Sequence, residues 1–150
     1  MGEIDSRTGL LAAQGLAIAQ GIRIAVEQAN AAGGLGGRPL RLLERDDEGK
    51  AERALAAAEE LVGRHGVVAL VGGYVDSLVA PVSEVAERTG VPYLAAASLD
   101  ERLTARGYRS FFRISSLRAY VAATVGVVRD LARARRVAIL HATTPGATQL

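Results

Sequence analysis

The sequence predicts an α/β fold with a doubly wound parallel sheet, that is, a sheet covered by helices on both faces. Two observations support this prediction. Stretches with apolar residues at helical spacing alternate with short apolar runs of strand length, and such a β-α-β-α order implies parallel strands joined by right-handed crossovers. The run at residues 67–71 is continuously apolar, which is typical of a strand buried on both faces.

Length and composition restrict the class of protein. The 150 residues suffice for one core, and 49% hydrophobic with 23% charged residues excludes a disordered or fibrous chain. A formal net charge of +2 gives no electrostatic footprint for nucleic acid, so no nucleic-acid partner is expected. Zero cysteines and two histidines predict neither a disulfide framework nor a metal site. No apolar stretch approaches the roughly 20 residues that span a bilayer.

The first helix is predicted over residues 10–32, where four apolar residues recur at the spacing of one buried stripe. These residues are Ile18, Ile22, Ala25 and Ala29. The glycine pair at residues 33–34 ends the helix, because glycine readily adopts the positive φ of a helix C-terminus. Residues 40–43 predict a short strand, and residues 44–49 predict a charged turn.

The remaining elements continue the alternation. Further strands are predicted at residues 67–71, 91–95, 110–114 and 136–140. A second helix is expected to face inward with Leu55, Ala58 and Val62. A third is expected to do so with Leu78, Val82 and Val85, and a last one with Val121, Val125, Val128 and Leu131.

The start of the chain conflicts with this fold. A doubly wound sheet needs a strand before the first helix, and residues 1–4 are too short to supply one. We therefore expect an incomplete fold that lacks its first strand.

Two loops at the carboxyl ends of predicted strands form the candidate ligand site, because ligands of open α/β sheets bind there. The loop at residues 72–77 leads into the third helix, whose unpaired N–H groups attract an anion. The loop at residues 95–100 offers small side chains and one hydroxyl. Two plainer alternatives stay open: Asp76 or Ser77 caps the third helix, and the second loop is an ordinary alanine-rich connection.

Other chemistry-bearing residues are weaker candidates. The glycines at residues 33–37 follow a helix and precede a strand, the reverse of the order in a phosphate loop. Asp46 and Asp47 could form a metal-binding pair, but solvated turn charges are commoner. His65 lies at a helix end, and His141 ends the last predicted strand as a weak ligand candidate. Because no Ser/His/Asp set and no carboxylate pair flank a recognisable cleft, the sequence predicts binding rather than catalysis, with no cofactor and no metal.

The order and spacing of short motifs along nearly the whole chain are more specific than any single motif. In chain order they include Asn30-Ala31-Ala32-Gly33-Gly34, Gly36-Gly37-Arg38-Pro39-Leu40, Val71-Gly72-Gly73, Ala80-Pro81-Val82, Gly90-Val91-Pro92-Tyr93, Arg106-Gly107-Tyr108 and Phe112-Arg113. This pattern resembles the branched-chain amino-acid-binding proteins of ABC importers, which are type I periplasmic binding proteins. The resemblance implies two α/β lobes that close on a ligand by a hinge motion.

The resemblance also assigns parts of the chain to the lobes. Residues 1–116 would form ligand-binding lobe one without its first strand. Residues 117–150 would form the hinge crossover and the start of lobe two, most of which is absent.

In the family, two loops hold the α-carboxylate of the ligand through hydroxyl and backbone N–H groups. The matching residues are Tyr74, Val75, Asp76 and Ser77 in the first loop and Ala97, Ser98 and Leu99 in the second, and Gln14 falls where the family has a cleft aromatic. Asp76 replaces the usual serine and Leu99 the usual threonine. Since an aspartate would repel an α-carboxylate, this departure points to a different ligand or to a capping role for Asp76.

The resemblance favours an extracytoplasmic solute-binding protein, not an enzyme, that captures a small polar ligand, an amino acid or a related compound. It would deliver the ligand to the membrane permease of an ABC importer, in the periplasm or anchored outside the membrane, as a monomer. One alternative is a ligand-sensing domain of a receptor or regulator with the same fold. Another is a small stand-alone α/β enzyme acting on a phosphorylated substrate, with Asp76 or Asp47 as base or metal ligand.

Overall fold

The computed structural model describes residues 1–140 and contains a five-stranded sheet whose strands all run parallel, in the order β2-β1-β3-β4-β5. The strands are β1 (Gly2–Asp5), β2 (Leu43–Asp46), β3 (Leu70–Gly72), β4 (Tyr93–Ala95) and β5 (Phe111–Arg113). The helices are α1 (Ala12–Ala31), α2 (Ala51–Gly63), α3 (Asp76–Thr89), α4 (Glu101–Ala105) and α5 (Leu117–Gly126), and a π-helical turn (Val127–Leu131) follows α5. The predicted α/β class and parallel sheet are confirmed.

The expectation that the first strand is missing is wrong. Residues Gly2–Asp5 form β1, which pairs with β2 on one side and β3 on the other and is buried along its whole length. Four residues are enough because the other strands have only three or four. The strand escaped detection because two of its residues are acidic, and the buried carboxylate of Glu3 is matched by an ion pair with Arg7 at 2.8 Å.

The second strand lies later than predicted. Its residues, Leu43–Asp46, include the first half of the stretch that was predicted as a charged turn. Charged side chains are tolerated there because β2 is an edge strand and only half buried. Arg45 reaches Glu60 on α2 at 2.8 Å, and Glu44 pairs with Arg7 and Arg23 at 2.9 and 2.7 Å.

One face of the sheet is covered by α2 and α3, and this layer forms most of the core. The buried residues of α2 are Ala54, Ala57, Ala58 and Leu61, and those of α3 are Leu78, Val79, Val82, Ser83, Val85 and Ala86. The inward stripe predicted for α3 is therefore confirmed. The prediction for α2 is correct for Ala58 but wrong for Leu55, which is 37% exposed because the buried stripe lies one residue away.

Within residues 1–140, the opposite face is covered by α1 alone. Only Gly15 and Ala19 of this helix are fully buried, so the predicted stripe is half buried at Ile18 and Ile22 and exposed at Ala25. At Gly15 the helix crosses the loop after β1 so closely that a Cβ atom would collide with the backbone carbonyl of Ser6.

The glycine-rich connection after α1 is closed at its base by one side chain. The Asn30 amide donates to the Leu40 carbonyl oxygen at 2.9 Å, and its oxygen accepts from the Leu40 N–H at 2.6 Å. This reciprocal pair imitates a step of a β-ladder, so the two ends of the loop at residues 33–39 are held together.

The last described segment departs from the prediction. Val125 and Leu131, expected to be buried, are 50% and 80% exposed, and residues 136–140 do not form the predicted strand. A strand forms only where its backbone finds a ladder partner, and these residues have none among residues 1–140. The prediction for His141 lies outside the described residues. None of the helices within residues 1–140 combines the length and apolar character needed to cross a membrane.

Candidate functional site

A cavity of about 570 Å³ opens at the carboxyl ends of β3 and β4, between the loop that enters α3 and the loop that enters α4. Its lining residues are Tyr74, Val75, Asp76, Ser77, Ala80, Ala97, Leu99, Asp100, Leu103 and Arg106. The cavity therefore lies at the edge of the sheet where open α/β folds bind ligands.

The two loops are connected by the side chain of Asp76. Its Oδ1 accepts hydrogen bonds from the hydroxyl of Ser98 at 2.6 Å, from the N–H of Leu99 at 2.9 Å and from the N–H of Asp100 at 3.0 Å. Asp76 makes no capping hydrogen bond to its own helix, where Val75 is the N-cap residue, and neither does Ser77. The capping alternative is thus wrong, and Asp76 instead fixes the position of the neighbouring loop.

The turn after β3 depends on two glycines with positive φ, +114° at Gly72 and +87° at Gly73. A Cβ atom on Gly72 would meet the Ile4 carbonyl, and one on Gly73 would meet the Tyr93 hydroxyl. In return the turn forms two buried hydrogen bonds: Gly73 N–H donates to Asp5 Oδ1 at 2.8 Å, and the Tyr93 hydroxyl donates to the Gly72 carbonyl at 3.1 Å. The two glycines thus allow the neighbouring strands β1 and β4 to approach the turn. Asp5 and Tyr93 on those strands then hold the turn beneath the cavity.

Beneath this turn lies a group of buried acidic residues. Burial raises the pKa of Asp5 to about 8, against the lowering effect of the Gly73 N–H, and the nearby charges of Glu3 and Asp47 raise it further. Asp47 accepts from the Ser6 hydroxyl at 2.5 Å and from the Gly49 N–H at 2.8 Å. One oxygen each of Asp5 and Asp47 is engaged within the fold, whereas Asp5 Oδ2 and Glu3 Oε2 are buried with no hydrogen-bond donor among residues 1–140. The described residues contain no group of three or more side chains suited to hold a metal ion.

The loop between β4 and α4 is held from both ends. The N–H groups of Ala96 and Ala97 donate to the carbonyls of Gly72 and Gly73 at 3.1 and 3.2 Å. Asp100 begins α4 as its N-cap, accepting from the Arg102 N–H at 2.9 Å. This loop is therefore a structured wall of the cavity, not a plain alanine-rich connection.

Arg113 supports the same loop from β5. Its side chain is 6% exposed, and its guanidinium pairs with Glu101 at 2.6 Å and donates to the Ser98 carbonyl at 3.4 Å. Arg113 thus connects β5 to the first turn of α4 and to the loop that forms the wall.

The structure brings together most of the residues singled out from the sequence. Six of them line the cavity: Tyr74, Val75, Asp76, Ser77, Ala97 and Leu99. Ser98 is fully buried behind the wall as a partner of Asp76, whereas Gln14 is exposed on α1 and does not line the cavity.

Sequence reasoning missed three lining residues, namely Ala80, Leu103 and Arg106, and it included Asp100 only as the last residue of the second loop. Leu103 belongs to α4, a five-residue helix too short for a periodic pattern, and Asp100 is the N-cap residue of that helix. The signal that could have found it is Asp100 itself, a favoured N-cap residue followed by an acidic first turn. Arg106 follows the helix and pairs with Glu84 of α3 at 3.0 Å.

Comparison with known proteins agrees with this architecture. A family model described as periplasmic binding protein matches residues 1–150. An amino acid binding protein of Pseudomonas aeruginosa is 30% identical over 142 residues, covering 94% of this chain and 38% of that protein. The chain thus spans well under half the length of this relative.

Two solved structures share the fold. The branched-chain amino acid transporter substrate-binding protein LivJ from Streptococcus pneumoniae, in complex with isoleucine, superposes with a TM-score of 0.79 at 26% identity, over 87% of this chain and 38% of that one. A solute-binding protein of an ABC transporter from Rhodopseudomonas palustris, in complex with 3,4-dihydroxybenzoic acid, superposes with a TM-score of 0.85 at 20% identity. The match covers 98% of this chain and 40% of that one. The fold is that of type I periplasmic binding proteins, and the chain belongs to the periplasmic binding protein family.

Proposed function

We propose that this protein is an extracytoplasmic solute-binding protein that captures a small polar ligand for delivery to the permease of an ABC importer. The observation that carries the proposal is the cavity at the carboxyl edge of the sheet, bounded by two loops that Asp76 ties together. The relatives support it, since they include amino acid binding proteins and substrate-binding proteins of ABC transporters.

Residues 1–116 would form the first ligand-binding lobe, now including its first strand, and residues 117–150 the crossover and the start of a second lobe. Ligand capture between two lobes suits a cavity that opens at the surface of the first. The protein would act in the periplasm or outside the cell anchored to the membrane, as a monomer without catalytic activity.

The enzyme hypothesis is disfavoured because the two aspartates proposed as base or metal ligand form hydrogen bonds within the fold. Asp47, its candidate base or metal ligand, is buried and accepts two internal hydrogen bonds. Asp76, the other candidate, has one oxygen committed to three donors. Both side chains position backbone segments, which fits a binding lobe better than a catalytic site.

The experiment is a thermal-shift panel on the full-length protein with amino acids, their amides, amines and sugars. A ligand at 100 times its dissociation constant should stabilise the folded state by about 2.7 kcal/mol. Ala97→Leu, which fills the cavity, should abolish the shift. The matched control Ala56→Leu adds the same atoms to an exposed position of α2 and should preserve it. A ligand-induced shift that survives in Ala97→Leu would place the site elsewhere.

A further inference from the structure

The loop between β4 and α4 forms one wall of the cavity. Most of the hydrogen-bond donors with which this loop could bind an anion are already engaged. Among residues 1–140, the N–H groups of Ala96 and Ala97 donate to the carbonyls at the end of β3, and those of Leu99 and Asp100 donate to Asp76. The hydroxyl of Ser98 also donates a hydrogen bond to Asp76. A carboxylate that belongs to the protein thus occupies the donors that a ligand's carboxylate would need.

The charge that remains at this wall is negative. Asp76 Oδ2 has no hydrogen-bond donor within the described part of the chain, and Asp76 lines the cavity with a partly exposed side chain. The other charged lining residues are matched, because Asp100 pairs with Arg102 at 2.9 Å and Arg106 pairs with Glu84 at 3.0 Å. Arg102 lies close enough to sense the charge of Asp76, but its guanidinium is held by Asp100.

The N-terminus of α3 does not reverse this preference. The first-turn N–H groups of a helix favour a negative group, and Asp76 at the first position of α3 already supplies one. A ligand carboxylate at the same place would face the like charge of Asp76, and the Leu99 and Asp100 N–H groups of the second loop already donate to Asp76. A positively charged nitrogen would instead make a charge-assisted hydrogen bond with Oδ2.

We infer that the ligand presents a cationic nitrogen, an ammonium or amidinium group, to this wall and not a carboxylate, and that Asp76 is the residue that selects it. This inference rests on the proposed function, because it names the ligand class of the same cavity. It assigns Asp76 two roles, with Oδ1 holding the loop and Oδ2 contacting the ligand.

The test compares matched pairs of compounds that differ only in the carboxylate. Binding to the full-length protein is measured by calorimetry for L-leucine and L-leucinamide, L-phenylalanine and L-phenylalaninamide, and L-serine and L-serinamide. Each amide keeps the ammonium group and lacks the carboxylate. In every pair that binds, the amide should bind about tenfold or more tightly, because the carboxylate of the amino acid is repelled by the like charge of Asp76 and the amide carries no negative charge.

Two variants separate the charge of Asp76 from its structural role. Asp76→Asn keeps an acceptor for the Leu99 and Asp100 N–H groups but removes the charge, so the preference for the amide should fall about tenfold. Asp76→Ala frees those N–H groups and should improve binding of the amino acid. The control Glu59→Gln removes a negative charge on the exposed side of α2 and should leave both affinities unchanged. Thermal unfolding of all three variants verifies that they fold.

The outcomes distinguish this inference from the proposed function. Tight binding of amino acids with no gain for the amides, unchanged in Asp76→Asn, would overturn the inference and leave the solute-binding function intact. Equal binding of both members of a pair would also overturn it, because the carboxylate would then be tolerated. Failure of every compound to bind any of the proteins would contradict both the inference and the proposed function.

Discussion

The two faces of the sheet are closed in different ways. The face under α2 and α3 is apolar and sealed: Leu61, Val79 and Val82 are among its side chains that are almost completely buried. The face under α1 carries the buried carboxylates of Glu3 and Asp5, and farther along the sheet Leu94 remains 43% exposed. Alternation along β1 separates the two, because Ile4 points to the first face and its two acidic neighbours to the other.

An apolar hollow of about 350 Å³ shows how open the second face is. It lies between α1 and the strands β3 and β4, and its lining includes Ile22, Val26, Val71 and Leu94. From this comparison we expect that, among residues 1–140, stability comes mainly from the α2/α3 face, whereas the α1 face supports the polar groups beneath the candidate ligand cavity. The predictions below test this division.

Leu61→Ala should give the largest loss of stability. The side chain is fully buried between α2 and the sheet, and deleting it leaves a cavity, so the free energy of unfolding should fall by about 3 kcal/mol in urea titrations. Leu55→Ala, on the same helix but 37% exposed, is the control and should cost under about 1 kcal/mol. Equal losses in the two variants would refute the sealed-face description.

Gly15→Ala should be the most damaging change on the α1 face. The added methyl group would collide with the Ser6 carbonyl, which belongs to backbone and has little room to move, so stability should drop by about 2 kcal/mol. Gly21→Ala lies in the same helix with no atom within 4 Å and should stabilise the protein by about 0.5–1 kcal/mol. If α1 contacts the loop after β1 as described, chemical denaturation should show a decrease in the free energy of unfolding for Gly15→Ala and an increase for Gly21→Ala.

The buried carboxyl of Asp5 should make stability depend on pH. Its pKa is raised from 3.8 to about 8 on folding, so between these values the folded state binds more protons than the unfolded one. Stability should therefore fall as pH rises from about 4 to 8, by at most about 1.4 kcal/mol per pH unit, and then level off. Urea titrations at several pH values measure this slope.

The variant Asp5→Asn isolates this contribution. It keeps an acceptor for the Gly73 N–H and cannot ionise, so its stability should decline less over the same range than that of the wild type. Glu3, Asp47 and Arg7 act on Asp5 electrostatically and are left in place, so the difference between the two proteins reports Asp5 itself. Parallel curves for both proteins would show that Asp5 is not the group responsible.

Leu94→Ala should have the smallest effect. The side chain lies on the open α1 face and is nearly half exposed, so the loss should be below about 1 kcal/mol by urea titration. A loss as large as that of Leu61→Ala would mean that the second face is sealed in solution.

The same division explains what could be predicted from the sequence. The α2/α3 face was largely predictable, because α3 has its apolar residues at helical spacing with no competing polar groups. The first strand was not, since Glu3 and Asp5 break its apolar pattern and Asp5 accepts its hydrogen bond from Gly73, 68 residues away. In the site, the two loops were predictable from the strand ends. The hydrogen bonds that Asp76 accepts from the Leu99 and Asp100 N–H groups were not predictable, because they join residues more than 20 positions apart in the chain.

The amide of Asn30 has a practical consequence. Because it holds Leu40 at the base of the glycine-rich loop, the two ends of that loop stay in place whatever the length of the loop between them. The closure entropy of a loop grows only slowly with its length, and exposed glycine-rich tips tolerate inserted sequence. A fluorescent reporter or affinity tag placed between Gly36 and Gly37 should therefore leave the ligand cavity intact and provide an attachment point for following ligand capture.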